Sequence, residues 1–347
     1  MARIAVVTSH PPFSVGGHLV IAQELETALR AAGHEATVTY TPHGQFNEQT
    51  AAYWATWLTD LAVAHDGHRV DQVISLRYPS YAIRHPVHVC WLNHRMREYY
   101  DLWDRFSNNL SWRARAKQHV RRRLIHAGDH YLLTRNVTRV FAQSKTIQKR
   151  LTRWGGIPSE VIYPPAPKRS YRCDDYEDYL FVVSRLTPLK RIDLIIDALA
   201  HPDAVGVKCL IGGDGEDRRR LQSLIEARGL ENRVTLLGQL DESTLINHYA
   251  RCRAVCYPPL QEDYGFVTVE SFSASKPIIT CTDSGGPTEL VQSGVSGLIT
   301  EPTSVALASA IGTLMADRSL AQKYGAAGRH FADSLSWDET LRQLLIV

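Results

Sequence analysis

The run Tyr163-Pro-Pro-Ala-Pro167 divides this chain, because a proline-rich stretch can continue neither a helix nor a central strand. On both sides of it, short apolar runs alternate with stretches of helical period, the pattern of parallel α/β sheets. Before the break, the spacing predicts strands at 4–8, 36–40, 72–76, 87–92 and 137–142. Helices are expected over about 18–32, stopped by Gly33, and over 144–154, capped by Ser144. After the break, strands are expected at 179–184, 207–211, 234–237, 254–257 and 278–281, with helices near 190–200, 216–228, 242–251, 265–274, 286–292 and 304–316. The expected fold is therefore α/β, with two doubly wound domains, 1–164 and 165–325, facing each other across a cleft. Residues 326–347 are expected to add a C-terminal helix that packs back on the first domain.

Composition narrows the class. The chain has 347 residues, 44% of them hydrophobic and 22% charged, which suits folded cores and excludes disorder. No apolar run approaches the roughly 20 residues of a membrane span, and the first residues read as a buried strand instead of a signal peptide. Six scattered cysteines are too few for a disulfide framework and imply reduced thiols in a cytoplasm. Cys252 and Cys256 lack a second pair at zinc spacing and read as core thiols.

Charge is unevenly spread. Residues 1–164 hold 20 Lys and Arg against 12 Asp and Glu, whereas the remainder holds 19 against 24. The excess is focused at Arg113, Arg115, Lys117, Arg121, Arg122 and Arg123, with no acidic residue between Asp104 and Asp129. Such a segment is a solvated helix face, a contact for an anionic membrane surface, or a reader of a phosphorylated acceptor. No nucleic-acid-binding motif accompanies it, which sets nucleic acid aside as a partner.

Four segments bear chemistry. Glu262 and Glu270 flank Gly265-Phe266-Val267, where a helix would start after a strand and offer bare N–H groups to an anion. Two carboxylates beside an anion site would repel it unless they faced hydroxyls. Upstream, Arg185 ends a strand and Lys190 opens a helix, a placement able to grip a diphosphate. Gly212-Gly213-Asp214-Gly215 forms a strand-to-helix turn, but it lacks the third glycine of a dinucleotide fingerprint. Gly16-Gly17 joins the first strand to the first helix.

In their order along the chain, these residues resemble retaining glycosyltransferases of family 4. So do Ser284-Gly285-Gly286-Pro287-Thr288-Glu289 and the stretch from Cys90 through His94 to Trp103. Where that family has Ala-x-Gly-x-Pro, this chain has Ser273-Ala-Ser275-Lys-Pro277, a change expected to touch packing and not chemistry. The resemblance implies the GT-B fold of two Rossmann-like domains and a nucleotide-sugar donor, UDP-sugar ahead of GDP-sugar. It implies that Arg185 and Lys190 bind the donor diphosphate, that Glu262 takes the sugar hydroxyls and that Glu270 takes the ribose. Gly265, Phe266 and Val267 would hold sugar and phosphate, Gly16 and Gly17 would close over the phosphate, and His94 would sit beside the anomeric carbon. The base is expected near Gly212, with Gln239 reading its edge.

The implied reaction retains configuration and needs neither cofactor nor metal, the cations being built into the chain. The acceptor would be a hydroxyl of a glycan, a lipid-linked sugar or a natural product. The alternatives are a sugar-nucleotide epimerase of the same architecture and a non-catalytic sugar-nucleotide-binding partner. Arg outnumbers Lys 31 to 8, which points to a G+C-rich bacterial genome. The expected location is the cytoplasm, with peripheral contact at the inner face of the membrane through residues 113–123.

Overall fold

The computed structural model describes residues 1–10, 17–43 and 48–347, with the backbone alone for His18. It divides into two compact units, residues 1–164 with 336–347, and residues 165–335. The division between Pro164 and Pro165 lies inside the proline run.

Each unit is built on a six-stranded sheet whose paired strands run parallel. The first contains β1 (Arg3–His10), β2 (Glu35–Pro42), β3 (Gln72–Ser75), β4 (His88–Leu92), β5 (Arg139–Ala142) and β6 (Glu160–Val161). Their order across the sheet is β2-β1-β3-β4-β5-β6. The second contains β7 (Tyr179–Val183), β8 (Lys208–Gly212), β9 (Val234–Gly238), β10 (Ala254–Cys256), β11 (Ile278–Cys281) and β12 (Gly297–Thr300), ordered β12-β11-β10-β7-β8-β9. In this sheet the chain works outward from β7 to one edge, then returns to β10 and works outward to the other. The exits of β7 and β10 therefore flank a topological switch point, where open α/β sheets bind ligands.

Burial explains the strands. β7 and β10 are apolar along nearly their whole length, as expected for strands covered on both faces. Leu180, Val182, Ile195, Ile196, Ile211 and Leu221 are among the side chains that close the second core. Cys209, Cys252, Cys256 and Cys281 are buried thiols in this unit, and none of the six cysteines is bridged.

Three features depart from the sequence-based expectation. The segment 326–347 is not one helix: Arg318–Ser334 ends in the second unit, and Trp337–Leu344 belongs to the first. The break at Leu335-Ser336 lets Ser336 cap the last helix through the Glu339 N–H. The last helix is tied down where Gln72 donates to the Leu344 carbonyl at 2.7 Å and Trp337 meets Trp91 edge-on. The helix expected to open at Lys190 begins at Ile192 instead, after a 3₁₀ turn over Pro188–Lys190. Edge strands β6 and β12 were not anticipated, and neither was the helix Gln49–Leu58.

Candidate functional site

The second unit assembles its charged groups at the switch point. After β7, the Ser184 N–H donates to the Gly212 carbonyl at 3.1 Å and the Leu186 N–H to the Asp214 carbonyl at 2.9 Å. The backbone is thus pinned on both sides of Arg185. A Cβ on Gly213 would lie 1.9 Å from the Ser184 oxygen, and one on Gly215 would lie 2.3 Å from the Leu186 oxygen. These glycines permit two backbones to touch, which accounts for the turn without a ligand. Arg185 itself is exposed and forms no ion pair among the described residues.

Lys190 closes the following turn. Its Nζ donates to Glu262 Oε2 at 2.6 Å and to the Tyr257 phenol at 2.9 Å. Burial works against the ammonium, but Glu262 and Tyr257 outweigh it and raise the Lys190 pKa above its ordinary value. Lys190, from the exit of β7, and Glu262, from the exit of β10, therefore meet across the switch point. The next residue, Arg191, takes a left-handed φ of 51° and forks onto Asp283 at 2.8 and 2.6 Å. Its Nε and Nη2 also donate to the carbonyls of Pro258 and Pro259. Two cations at a helix start oppose its dipole, and here carboxylates of the same chain relieve that cost.

Glu262 is fixed through its backbone. Its N–H donates to the Ser284 carbonyl, and its carbonyl accepts from the Gly286 N–H, both at 2.9 Å. A Cβ on Gly285 or Gly286 would strike this loop, 2.5 Å from the Glu262 oxygen or 2.4 Å from that of Tyr264. Gly265 then adopts φ 89° and opens the helix Phe266–Ser273. The first N–H groups of that helix have no intrahelical acceptor, and the buried Thr268 hydroxyl beside them has no partner among the described residues.

Glu270, one turn into the helix, has partners of its own. Its Oε1 accepts from Arg169 at 2.7 Å and its Oε2 from the Tyr249 phenol at 2.9 Å. Burial and the Glu270 charge push the Tyr249 pKa well above its usual value. Each glutamate of the pair thus carries a cation and a phenol nearby. Arg169, Tyr249 and Tyr257 were missed in the sequence; only the place of Arg169, just after the proline run, could have flagged it.

Gly212 is the last residue of β8, and a Cβ there would lie 2.5 Å from Leu240 Cδ1. Gln239 follows β9 and is exposed. In the first unit, His94 lies two residues beyond β4, and its Nδ1–H donates to the Arg95 carbonyl at 2.8 Å, which sets the ring's tautomer. Gly17 opens the helix Gly17–Ala31, and Gly16 lies outside the described residues. Ser275 adopts φ 56°, a region that favours glycine, in the position where the resembled family has one. Among the described residues no three His, Cys, Asp or Glu side chains gather as a metal-ligand set.

Two Rossmann-like units of this topology define the GT-B fold. Residues 167–331 match the model of the family described as glycosyl transferases group 1. The chain is 34% identical over 212 residues to an exopolysaccharide phosphotransferase of Streptomyces coelicolor, covering 58% of this chain and 22% of that protein. The chain spans 22%, 58% and 41% of the length of three curated relatives: that protein, a glycosyltransferase of Methanocaldococcus jannaschii and an alpha-D-kanosaminyltransferase of Streptomyces kanamyceticus. Its fold is that of sucrose-phosphate synthase from Thermosynechococcus elongatus, with a TM-score of 0.79 at 19% identity, covering 99% of this chain and 97% of the other. The Anabaena protein HepE, solved with UDP and glucose, matches with a TM-score of 0.70 at 19% identity, covering 99% and 98%. Together these structural matches show the GT-B fold.

Proposed function

We propose that this chain is a retaining, metal-independent glycosyltransferase of family 4. It moves a hexosyl unit from a nucleotide-diphosphate sugar, UDP-sugar ahead of GDP-sugar, to a hydroxyl of a glycan, a lipid-linked sugar or a natural product. The observation that carries this reading is the meeting of Lys190 with Glu262 at the switch point, beside an Arg185 that forms no ion pair among the described residues. The likeness to a fold solved with UDP and glucose supports the donor class.

In this reading the donor diphosphate takes Lys190 from Glu262 and recruits Arg185, and the released Glu262 carboxylate accepts from the sugar hydroxyls. Glu270, held by Arg169 and Tyr249, receives the ribose. The bond from the anomeric carbon to the diphosphate oxygen breaks as the acceptor oxygen attacks from the same face. The acceptor proton passes to the leaving phosphate oxygen. Fixed cations and the N–H groups at 265–267 stabilise the charge that develops there. His94 is assigned a place beside the anomeric carbon, Gly16 and Gly17 close over the phosphate, and Gln239 reads the base edge near Gly212. The basic segment 113–123 gives a peripheral contact with a cytoplasmic membrane face.

Turnover of labelled UDP- and GDP-sugars tests the reading. Arg185→Ala is expected to lower kcat/KM by roughly 10²–10³, the scale for one lost transition-state charge contact, with activity surviving EDTA. Near-normal turnover in the variant, or loss on chelation reversed by magnesium, would contradict it. An epimerised donor as product would favour the epimerase reading, and donor binding without turnover the non-catalytic one.

A further inference from the structure

The basic segment forms one wall of a groove. It lies in the helix Trp112–Tyr131, capped by Ser111. Two of its six cations are turned to internal work: Arg122 donates to the Tyr99 carbonyl at 2.8 Å and stacks on Trp103, while Arg121 faces the Tyr99 phenol. Arg113, Arg115, Lys117 and Arg123 remain exposed. At helical spacing, Arg113, Lys117, Val120, Leu124 and Tyr131 share one stripe, cationic toward its start and apolar toward its end. Val120, Leu124 and Tyr131 are 62%, 69% and 56% exposed.

Opposite this stripe runs the helix Gln49–Leu58, where Trp54 is 60% exposed. Between the two helices lies a groove of about 900 Å³. Its floor is fixed. Asp129 of the longer helix is fully buried and accepts from Tyr53 of the shorter one, and also from Tyr81 and Tyr100 at 2.6 Å each. A contiguous apolar face of this kind marks an interaction site. The absence of acidic residues between 104 and 129 selects an anionic partner.

We propose that this groove docks the protein on an anionic lipid bilayer: acyl chains enter between the two helices, and Arg113 and Lys117, with Arg123 at the flank of the stripe, meet the lipid phosphates. The inference rests on the membrane contact suggested above and narrows it from a run of charges to a groove with an apolar wall. Helix faces that combine cations with exposed aromatic and aliphatic side chains bind the interface in this way.

The test is cosedimentation of the full chain with vesicles of phosphatidylglycerol and phosphatidylcholine, and with vesicles of phosphatidylcholine alone. Binding to the mixed vesicles is expected, weakening about tenfold from low to high salt. The double variant Val120→Ser, Leu124→Ser changes no charge at two exposed positions. It should bind about tenfold more weakly than the parent at low salt while keeping the salt dependence. Brominated acyl chains should quench tryptophan emission in the parent, less so in Trp54→Phe, and thermal melting checks that the variants fold. A parent chain that ignores anionic vesicles overturns this inference together with the membrane reading. Salt-sensitive binding that is unchanged in the serine variant, with no quenching by bromine, overturns the groove and leaves an electrostatic contact.

Discussion

The two sheets have the same number of strands but meet their most deeply buried carboxylates differently, although Asp101 of the first unit pairs with Arg97 and Arg150 as carboxylates of the second unit pair with cations. In the second unit carboxylates are met by cations: Lys190 with Glu262, Arg191 with Asp283, Arg169 with Glu270 and Arg253 with Asp178. In the first, the most buried carboxylate, Asp129, is met by three phenols, and His88 lies fully buried with Nε2 2.8 Å from the Ser75 hydroxyl. Ion pairs at the mouth of a switch point can be exchanged for a ligand's charges. A carboxylate sealed among tyrosines cannot, and its task is to hold helices together. The difference puts exchangeable ion pairs at the switch point of the second unit and a sealed polar clasp beneath the helices of the first.

The strongest way to break this comparison is Asp129→Ala. It leaves the phenols of Tyr53, Tyr81 and Tyr100 without their shared acceptor in a dry site. A loss of about 4 kcal/mol is expected in urea unfolding of the first unit, because unmet buried hydroxyls each carry a desolvation cost. A loss under 1 kcal/mol would mean that Asp129 is not the clasp described here.

Acid offers a second test. Burial, with His85 adding to it, drives the His88 pKa down to about 3, and burial with nearby Arg77 lowers His43 to about 4. An unfolded histidine protonates near 6.5, so below that pH the unfolded chain binds more protons and the folded state loses stability as pH falls. Between pH 7.5 and 4.5, His88 alone should cost the first unit about 2–3 kcal/mol. Urea titrations at the two pH values check this: His88→Gln should flatten the dependence of the transition that Asp129→Ala shifts. An unchanged slope would show that His88 is not the sensor.

The smallest effect belongs to the second unit and sharpens the contrast. Ser275 carries a left-handed backbone, so Ser275→Gly should stabilise that unit by about 1 kcal/mol in thermal unfolding, with donor turnover unaffected. Destabilisation would show that the hydroxyl makes up for the strain.

How far the sequence could be read follows the same division. Both sheets were visible because their central strands are apolar runs, such as Tyr179–Val183 and Ala254–Cys256. β6, with two residues at an edge, carries too little pattern to register. Arg185 with Lys190 at a strand end, and Glu262 with Glu270 at a helix start, stood out because each pair is close in sequence, whereas the meeting of Lys190 with Glu262 spans 72 positions. Arg169 reaches Glu270 across 101 positions, and Tyr53 reaches Asp129 across 76, so no local spacing reports either contact. The glycines at 213 and 215 were read as part of a strand-to-helix turn, but it was not anticipated that the nearby Ser184 and Leu186 backbones require them.

The central claim is that a nucleotide diphosphate binds at the β7 and β10 exits of the second unit, and Lys190 tests it most directly. Titration calorimetry and thermal melting with UDP, GDP, ADP and TDP should find one nucleotide that stabilises the parent by about 2.7 kcal/mol when present at a hundred times its Kd. In Lys190→Ala that nucleotide should bind at least about tenfold more weakly, since a charge-assisted contact is gone. Equal affinity in parent and variant, or no response to any of the four nucleotides, would contradict the account.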